Sequence, residues 1–222
     1  MPVIPVTRRQ LLAGAAAAAA LAGFGAPSMP ALAEAAAPAA VPLDALLAQQ
    51  ALPDLWIGPM DAKVTIIEYA SMTCSHCAAF HTQTYPILNT KYIEPGKARF
   101  VLREFPLDPL ATAAFMLART AGDDKRNALC DVLFEQQKTW AFTDKPIAAL
   151  QALVGQAGMS AETFEACLKD QKLYERVVAE RDVANSKFGV NATPTFFING
   201  KRIPGELSPE ALDKELEPLL RS

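Results

Sequence analysis

Histidine is scarce in this chain of 222 residues, which contains 2 histidines and 4 cysteines. These side chains are preferred ligands of zinc and other transition metals, so a metal site would have few ligands to draw on. Long runs of basic residues are also missing, and the formal net charge is −3. Nucleic-acid binding needs clustered Lys and Arg against the phosphates, which makes nucleic acid an unexpected partner.

The sequence also lacks an apolar run of the length that crosses a membrane. The run at 11–24 is interrupted by glycines, whereas a membrane helix needs about 20 apolar residues. It follows the pair Arg8 and Arg9 and precedes residues 31–33 (ALA), a small-residue cleavage pattern. Residues 1–33 are therefore predicted to be a signal peptide of twin-arginine type, which leads to the periplasm. A general secretory signal and an uncleaved anchor are the alternatives.

The reactive chemistry of the chain is concentrated in Cys74-Ser75-His76-Cys77. A strand pattern at 64–70 precedes this motif and a helix pattern begins at it. At a helix start, Cys74 meets the positive end of the helix dipole and unpaired N–H groups, which favour the nucleophilic thiolate. Cys77 lies one turn further and is placed to attack a mixed disulfide at Cys74. We expect His76 to add a positive charge or a hydrogen bond to the thiolate.

Two other interpretations of the motif are weaker. A structural disulfide between Cys74 and Cys77 would close a very short loop and remove almost no chain entropy. A zinc site, or another metal-binding function, would use Cys74, Cys77 and His81, but a fourth ligand is missing nearby. Disulfide exchange is the favoured chemistry, and His81 is expected to be a surface or groove residue.

The hydrophobic pattern predicts a strand, a helix, a strand, a long helical block, a hairpin and a closing helix. The strands are predicted at 64–70, 98–105, 195–198 and 201–203. The first two should be parallel and the last two antiparallel, since Asn199-Gly200 is a strong two-residue hairpin signal. A small mixed sheet with a helical insertion is therefore expected. Residues 34–43 lack periodicity and suggest a flexible leader, followed by a short helix at 44–52.

The segment from Glu68 to Cys77 (EYASMTCSHC) resembles the active-site segment of the DsbA family, within the thioredoxin superfamily. Thr193-Pro194, just before the third strand, falls where the superfamily has its cis-proline facing the active-site disulfide. The helical block between the second strand and that proline matches the distinguishing element of the family. Members typically have Cys-Pro-His-Cys, so Ser75 is a departure.

This resemblance implies an α/β thioredoxin fold with an inserted helical domain. The expected organisation is a signal peptide at 1–33, a leader with a short helix at 34–54, the first half of the fold at 55–106, the insertion at 107–188 and the second half at 189–222. The implied enzyme is a periplasmic oxidase that passes its disulfide to exported proteins with free thiols. A quinone-coupled membrane partner resembling DsbB would reoxidise it.

The cysteine pair itself would carry the electrons, so no cofactor or metal is expected, and a monomer is expected. An isomerase or reductase of the same superfamily is the alternative. The threonine before the proline, Thr193, resembles the residue that isomerases have there more than the one in the best-known oxidases. If Pro194 is cis, the backbone of Thr193 is free to pair with an extended substrate segment.

Glu68 is an acidic residue in an otherwise apolar strand. The family places a buried acid at this position, near the second cysteine. Burial of a carboxylate is costly, so its pKa should rise and it could take a proton from Cys77. The alternative is an edge strand on which Glu68 faces water.

Cys130 and Cys167 lie among apolar residues of the helical block. As free thiols they would be small buried core residues. Export favours a disulfide that links two helices of the insertion, an arrangement that some bacterial members of the family carry. A Cys130–Cys167 disulfide is therefore expected.

Overall fold

The computed structural model describes residues 38–48 and 50–221, so the predicted signal peptide and the start of the leader lie outside the described residues. Its elements in chain order are α1 (Leu43–Leu47), β1 (Val64–Ala70), α2 (Ser75–Ala79), π1 (Phe80–Thr84), α3 (Tyr85–Leu88), π2 (Asn89–Ile93), β2 (Ala98–Glu104), α4 (Pro109–Thr120), α5 (Asp123–Glu135), α6 (Gln137–Trp140), α7 (Pro146–Gln156), α8 (Ala161–Leu168), α9 (Gln171–Phe188), β3 (Thr195–Ile198), β4 (Lys201–Pro204) and α10 (Pro209–Arg221).

The strands form one mixed sheet in the order β2-β1-β3-β4. β1 is parallel to β2, with Val64 opposite Ala98, and antiparallel to β3, which pairs antiparallel with β4. β1 is thus a central strand, and all seven of its residues are buried. The mixed sheet expected from the sequence is confirmed, and the thioredoxin-like architecture with it.

Alternation along the strands divides the core between the two faces of the sheet. Ile66 and Phe196 contribute to one face, which packs against the active-site helix and much of the insertion. Ile67 and Phe197 contribute to the other face, which packs against α9. Glu68 follows Ile66 by two residues, so its side chain points to the face covered by the active-site helix.

Short segments outside the strands cover both edges of the sheet. Residues 39–41 hydrogen-bond to 200–202 beside β4, and Ile57 exchanges backbone hydrogen bonds with Phe100 beside β2. An edge strand left open would expose unpaired N–H and C=O groups to other chains. The prediction of a flexible leader at 34–43 is therefore wrong for its second half.

The first helix is shorter than predicted: α1 ends at Leu47, whereas the sequence pattern extends over 44–52. The Leu46 carbonyl accepts a hydrogen bond from the Arg103 guanidinium at 2.7 Å. Further on, the backbone N–H of Leu52 donates to a carboxylate of α9 at 3.2 Å. These tertiary hydrogen bonds replace the ones that another helical turn would make.

The active-site helix continues past Pro86, although a proline inside a helix usually kinks or ends it. The widened turn π1 immediately precedes α3, and Pro86 is at the start of α3. Proline has no N–H to donate and its ring crowds the preceding turn of an α-helix. A π turn accommodates this conflict without ending the helix.

The long block at 107–188 is helical, as predicted, and consists of α4 to α9. Two serines cap helices in this half of the chain: the Ser160 hydroxyl accepts from the Thr163 N–H at 3.0 Å, and the Ser208 hydroxyl accepts from the Ala211 N–H at the start of α10 at 3.2 Å. Within the described part of the chain, every helix is too short or too polar to cross a membrane.

Candidate active site

Cys74 and Cys77 occupy different environments at the start of the active-site helix. Cys74 is the N-terminal cap residue of α2, has extended backbone geometry and is half-buried. Its carbonyl accepts the Ala78 N–H at 3.1 Å, which begins the helical hydrogen-bond pattern. Cys77, one turn further along, is fully buried. The attacking position predicted for Cys74 and the interior position predicted for Cys77 agree with this geometry.

Hydrogen bonds to its sulfur lower the pKa of Cys74 to about 5. The largest contribution is the hydrogen bond from the Cys77 thiol, and burial partly opposes it. The Thr193 side chain and the backbone N–H groups of Cys77 and His76 contribute further stabilisation of the thiolate. Cys74 is therefore ionised at neutral pH, which is the state required of a nucleophile in disulfide exchange.

Thr193 and Pro194 form the wall opposite Cys74, and the peptide bond between them is cis, as the resemblance implies. The Cys74 sulfur lies 3.3 Å from the Thr193 carbonyl, which accepts a hydrogen bond from the protonated thiol only. The Thr193 hydroxyl is buried without a hydrogen-bond partner. Although it makes no direct hydrogen bond in this structure, this hydroxyl is a donor that favours the thiolate, and the net shift of the Cys74 pKa is downward.

Glu68 lies in the centre of β1, close enough to Cys77 to affect its pKa, and is fully buried, so an exposed edge position for it is wrong. Burial raises the pKa of Glu68, and His81 opposes this shift. The pKa of Cys77 is raised well above its ordinary value, first by burial and then by Cys74 and Glu68. Cys77 therefore holds its proton, beside a carboxyl group suited to accept it.

His81 is a buried partner of Glu68, and the expectation of a surface or groove residue is wrong. Its Nε2 lies 2.9 Å from Glu68 Oε2, and its Nδ1 lies 3.4 Å from Asp131 Oδ1. The imidazole is stacked on Phe134, with ring centroids 4.2 Å apart. Both of its nitrogens thus face carboxylates. Among the residues that the structure describes, no group of three or more His, Cys, Asp or Glu side chains is arranged to hold a metal ion.

His76 contacts the loop after β4 rather than the Cys74 sulfur. Its imidazole is 65% exposed, and Nδ1 lies 3.2 Å from Glu206 Oε2. The stabilisation that His76 gives the thiolate comes from its backbone N–H. The expected hydrogen bond from the imidazole to Cys74 is therefore absent from this structure, because an exposed ring has a carboxylate partner on the other side.

Comparison with known proteins agrees with this geometry. The model of a thioredoxin family matches residues 50–218. Alpha-DsbA1 of Wolbachia pipientis superimposes with a TM-score of 0.72 at 28% identity, over 80% of this chain and 96% of that chain. The chain belongs to the DsbA family of the thioredoxin superfamily.

A relative from Rickettsia bellii, named as a protein-disulfide oxidoreductase, is 34% identical over 148 residues, which are 66% of this chain and 57% of the relative. The chain thus spans less than two thirds of this relative's length. A protein-disulfide isomerase from Novosphingobium aromaticivorans has a TM-score of 0.69 at 22% identity, over 77% of this chain and 100% of that chain. At that identity the likeness concerns the fold.

Gln137, in the helical insertion of this DsbA-family chain, is a residue of the site that sequence reasoning missed. Its side-chain amide is buried and donates to the carbonyls of Met72 at 2.8 Å and of Cys74 at 2.9 Å. The insertion thus holds the loop that carries the nucleophile. The available signal was a glutamine in line with the apolar residues Leu133 and Trp140, at helical spacing.

Cys130 and Cys167, which are predicted to form a disulfide, are free thiols in this structure, as are Cys74 and Cys77. Cys130 lies on α5 near Arg126, whereas Cys167 on α8 accepts a hydrogen bond from the Thr120 hydroxyl at 3.1 Å. Each thiol therefore has its own neighbours in the core. The alternative of two small buried core residues fits this arrangement.

Proposed function

We propose that this protein is a periplasmic thiol:disulfide oxidase, which passes a Cys74–Cys77 disulfide to exported proteins. The observation that carries the proposal is the position of Cys74 at the N-terminal cap of α2 beside a buried Cys77, where hydrogen bonds to the sulfur lower its pKa to about 5. Stabilising a thiolate stabilises the reduced enzyme, and a disulfide whose reduced form is stable is a strong oxidant. The direction of electron flow therefore favours donation of the disulfide.

The reaction transfers two electrons from the substrate to the enzyme. A substrate thiolate attacks the Cys74 sulfur of the disulfide and expels Cys77, which takes up a proton. A second substrate thiolate then attacks the substrate sulfur of the mixed disulfide, expels Cys74 as a thiolate and closes the substrate disulfide. The low pKa of Cys74 makes it the better leaving group in this second step.

The surroundings of Cys74 suit a protein substrate. Large apolar side chains are exposed near the loop that precedes the motif, where Leu107 is 54% and Phe142 is 60% exposed. A recess lined by Phe142, Ile147 and Thr73 lies beside them. Exposed apolar surface of this kind favours contact with incompletely folded chains. Thr193 would align an extended substrate segment with Cys74.

The cellular setting of the proposal comes from the sequence and the family. The predicted signal at 1–33, of twin-arginine type, would place the enzyme in the periplasm, where substrates with free thiols arrive by export. The reduced enzyme must then be reoxidised, and we assign this step to a quinone-coupled membrane protein resembling DsbB. Electrons pass through the cysteine pair alone, so the proposal includes no cofactor.

Measurement of the Cys74–Cys77 reduction potential against glutathione, together with oxidation of a reduced and unfolded protein substrate, tests the proposal. We expect a potential well above the value of about −270 mV typical of thioredoxin, and rapid oxidation of the substrate. A potential near thioredoxin's, with efficient rearrangement of a scrambled substrate, would favour the isomerase or reductase instead. The Cys77→Ala variant, which holds mixed disulfides on Cys74, would identify substrates and the reoxidant.

A further inference from the structure

We propose that His81 is a positioning residue that links the buried acid Glu68 to solvent through Asp131, so that Cys77 exchanges its proton along this row of side chains. The inference rests on the proposed function and adds a route for the proton to it. Nothing in the motif itself predicts the route, since its outer two members come from π1 and from the helical insertion.

The three side chains form a row from the core to the surface. Glu68 on β1 is 0% exposed, His81 on π1 is 3% exposed, and Asp131 on α5 is 49% exposed. Glu68 Oε2 and His81 Nε2 are 2.9 Å apart, a hydrogen-bond distance. His81 Nδ1 makes no direct hydrogen bond and lies 3.4 Å from Asp131 Oδ1. The imidazole thus has one nitrogen toward the buried acid and one toward the half-exposed carboxylate.

Disulfide exchange requires a proton to move to or from a fully buried sulfur. When a substrate dithiol reduces the enzyme, two electrons enter the disulfide and two protons leave the substrate thiols. Cys74 remains a thiolate at neutral pH, so Cys77 takes one proton and the other goes to solvent. In reoxidation, Cys77 must lose its proton before it attacks. Because Cys77 is fully buried with Glu68 near its sulfur, we assign the transfer of that proton to Glu68.

The charges around His81 suit this role. The facing titratable groups are Glu68 from β1, Asp131 from α5 and Tyr85 from α3, and the aromatic ring of Phe134 covers one side. Burial lowers the pKa of His81, but Glu68 and Asp131 outweigh it and raise the pKa to about 9. A protonated His81 can return a proton to Glu68. The other carboxylate oxygen of Glu68, Oε1, is buried without a protein partner and is free to hold a proton.

The attack of Cys77 on a glutathione mixed disulfide at Cys74 isolates the step that the row serves. Reduced protein is mixed with oxidised glutathione, quenched in acid and analysed by mass spectrometry, which times formation and resolution of the mixed disulfide separately. We expect His81→Phe, which keeps a ring against Phe134, to slow resolution at neutral pH about tenfold or more. Formation, which uses the Cys74 thiolate, should keep its rate.

A double-mutant cycle with Glu68→Gln separates proton transfer from packing. If His81 acts through Glu68, His81→Phe should slow resolution in the wild-type background and leave it unchanged in the Glu68→Gln background. Equal slowing in both backgrounds would assign His81 a packing role only and overturn the inference. Unchanged resolution in the wild-type background would overturn it as well.

Asp131→Asn provides a test that does not depend on a buried substitution. Loss of the negative charge beside Nδ1 should lower the pKa of His81, so the pH profile of the resolution rate should shift to lower pH. Glu135→Gln, an equal charge change on the same helix, should leave the profile in place. An unshifted profile in folded Asp131→Asn protein contradicts the relay. Failure of the wild-type protein to exchange with glutathione at all would instead contradict the proposed function.

Discussion

The two pairs of cysteines in this chain show how location decides the chemistry of one residue type. Cys74 is the N-terminal cap of a helix, with hydrogen-bond donors around its sulfur, and its pKa is lowered to about 5. Cys130 lies inside a helix of the insertion, where burial raises its pKa to about 11 despite the nearby Arg126. Both sulfurs are at least partly shielded from solvent, so burial alone does not explain the difference between the two pKa values. The hydrogen-bond donors at the helix start explain it.

The comparison extends to the partners Cys77 and Cys167. Cys77 is more buried than Cys74, but it sits beside Glu68 and within reach of the Cys74 sulfur, so its raised pKa belongs to a working pair. Cys167 accepts a hydrogen bond from the Thr120 hydroxyl, but burial and the nearby Asp170 raise its pKa. A reactive pair therefore needs a donor-rich position for one sulfur and a proton acceptor near the other.

The largest expected contrast is in alkylation of the reduced, folded protein. At pH 7 Cys74 is almost wholly thiolate. The pKa of Cys130 is about 11, four units above this pH, so Cys130 is ionised in about one molecule in 10⁴. Iodoacetamide should therefore modify Cys74 much faster than Cys130, by up to about 10⁴-fold from the ionised fractions, a ratio that the weaker nucleophilicity of a low-pKa thiolate reduces. The rate at Cys74 should fall as the pH drops through about 5, because its thiolate becomes protonated. Peptide mapping after short labelling measures both rates, and comparable labelling of Cys130 would break the contrast.

Removal of one cysteine from each pair should give the next largest difference. Cys74→Ala removes the nucleophile and should lower the rate of substrate oxidation by roughly a thousandfold or more. Cys130→Ala should leave that rate within about twofold and cost about 1 kcal/mol of unfolding free energy, since it deletes one buried sulfur atom. Oxidation of a reduced protein substrate and urea unfolding measure the two effects. A large loss of activity in Cys130→Ala would connect the second pair to the chemistry.

Gln137 connects the helical insertion to the active-site loop, and its substitution should have an intermediate effect. Gln137→Ala removes two hydrogen bonds to the carbonyls of the active-site loop and leaves both acceptors without this donor. We expect a loss of about 2 kcal/mol in the free energy of unfolding. Gln136→Ala, at the exposed neighbouring position, is the matched control and should change it by less than about 0.5 kcal/mol. Equal values for the two variants would show that the insertion does not hold the loop.

Much of this architecture could be predicted because its signals are local. The strand at 64–70 is a β-branched run, Asn199-Gly200 adopts positive φ angles of 47° and 90° as its hairpin signal requires, and the motif identifies the helix that begins at Ser75. The burial of Glu68 could be predicted because this acid lies in an otherwise apolar strand. Each of these predictions depends on residues that are neighbours in the sequence.

The incorrect predictions concern contacts between distant segments. The sequence predicts a surface residue at His81, because its partner Asp131 lies fifty positions away on the insertion. Whether Cys130 and Cys167 pair depends in the same way on whether two helices bring their sulfurs together, and both are free thiols in this structure. Hydrophobic periodicity gives the buried face of a helix but not its neighbour, so such pairs require the fold.

His76 gives the smallest expected effect and tests whether the motif acts through its backbone. Its imidazole is exposed and paired with Glu206, so solvent screens its charge from the Cys74 sulfur. His76→Ala should raise the pH midpoint of Cys74 alkylation by less than about one pH unit. Glu206→Gln should shift the midpoint slightly downward, since it removes a negative charge near the thiolate. A larger upward shift of the midpoint in His76→Ala would mean that the imidazole turns toward Cys74 in solution. The pKa difference between the two cysteine pairs would then depend on the His76 side chain as well as on the helix start.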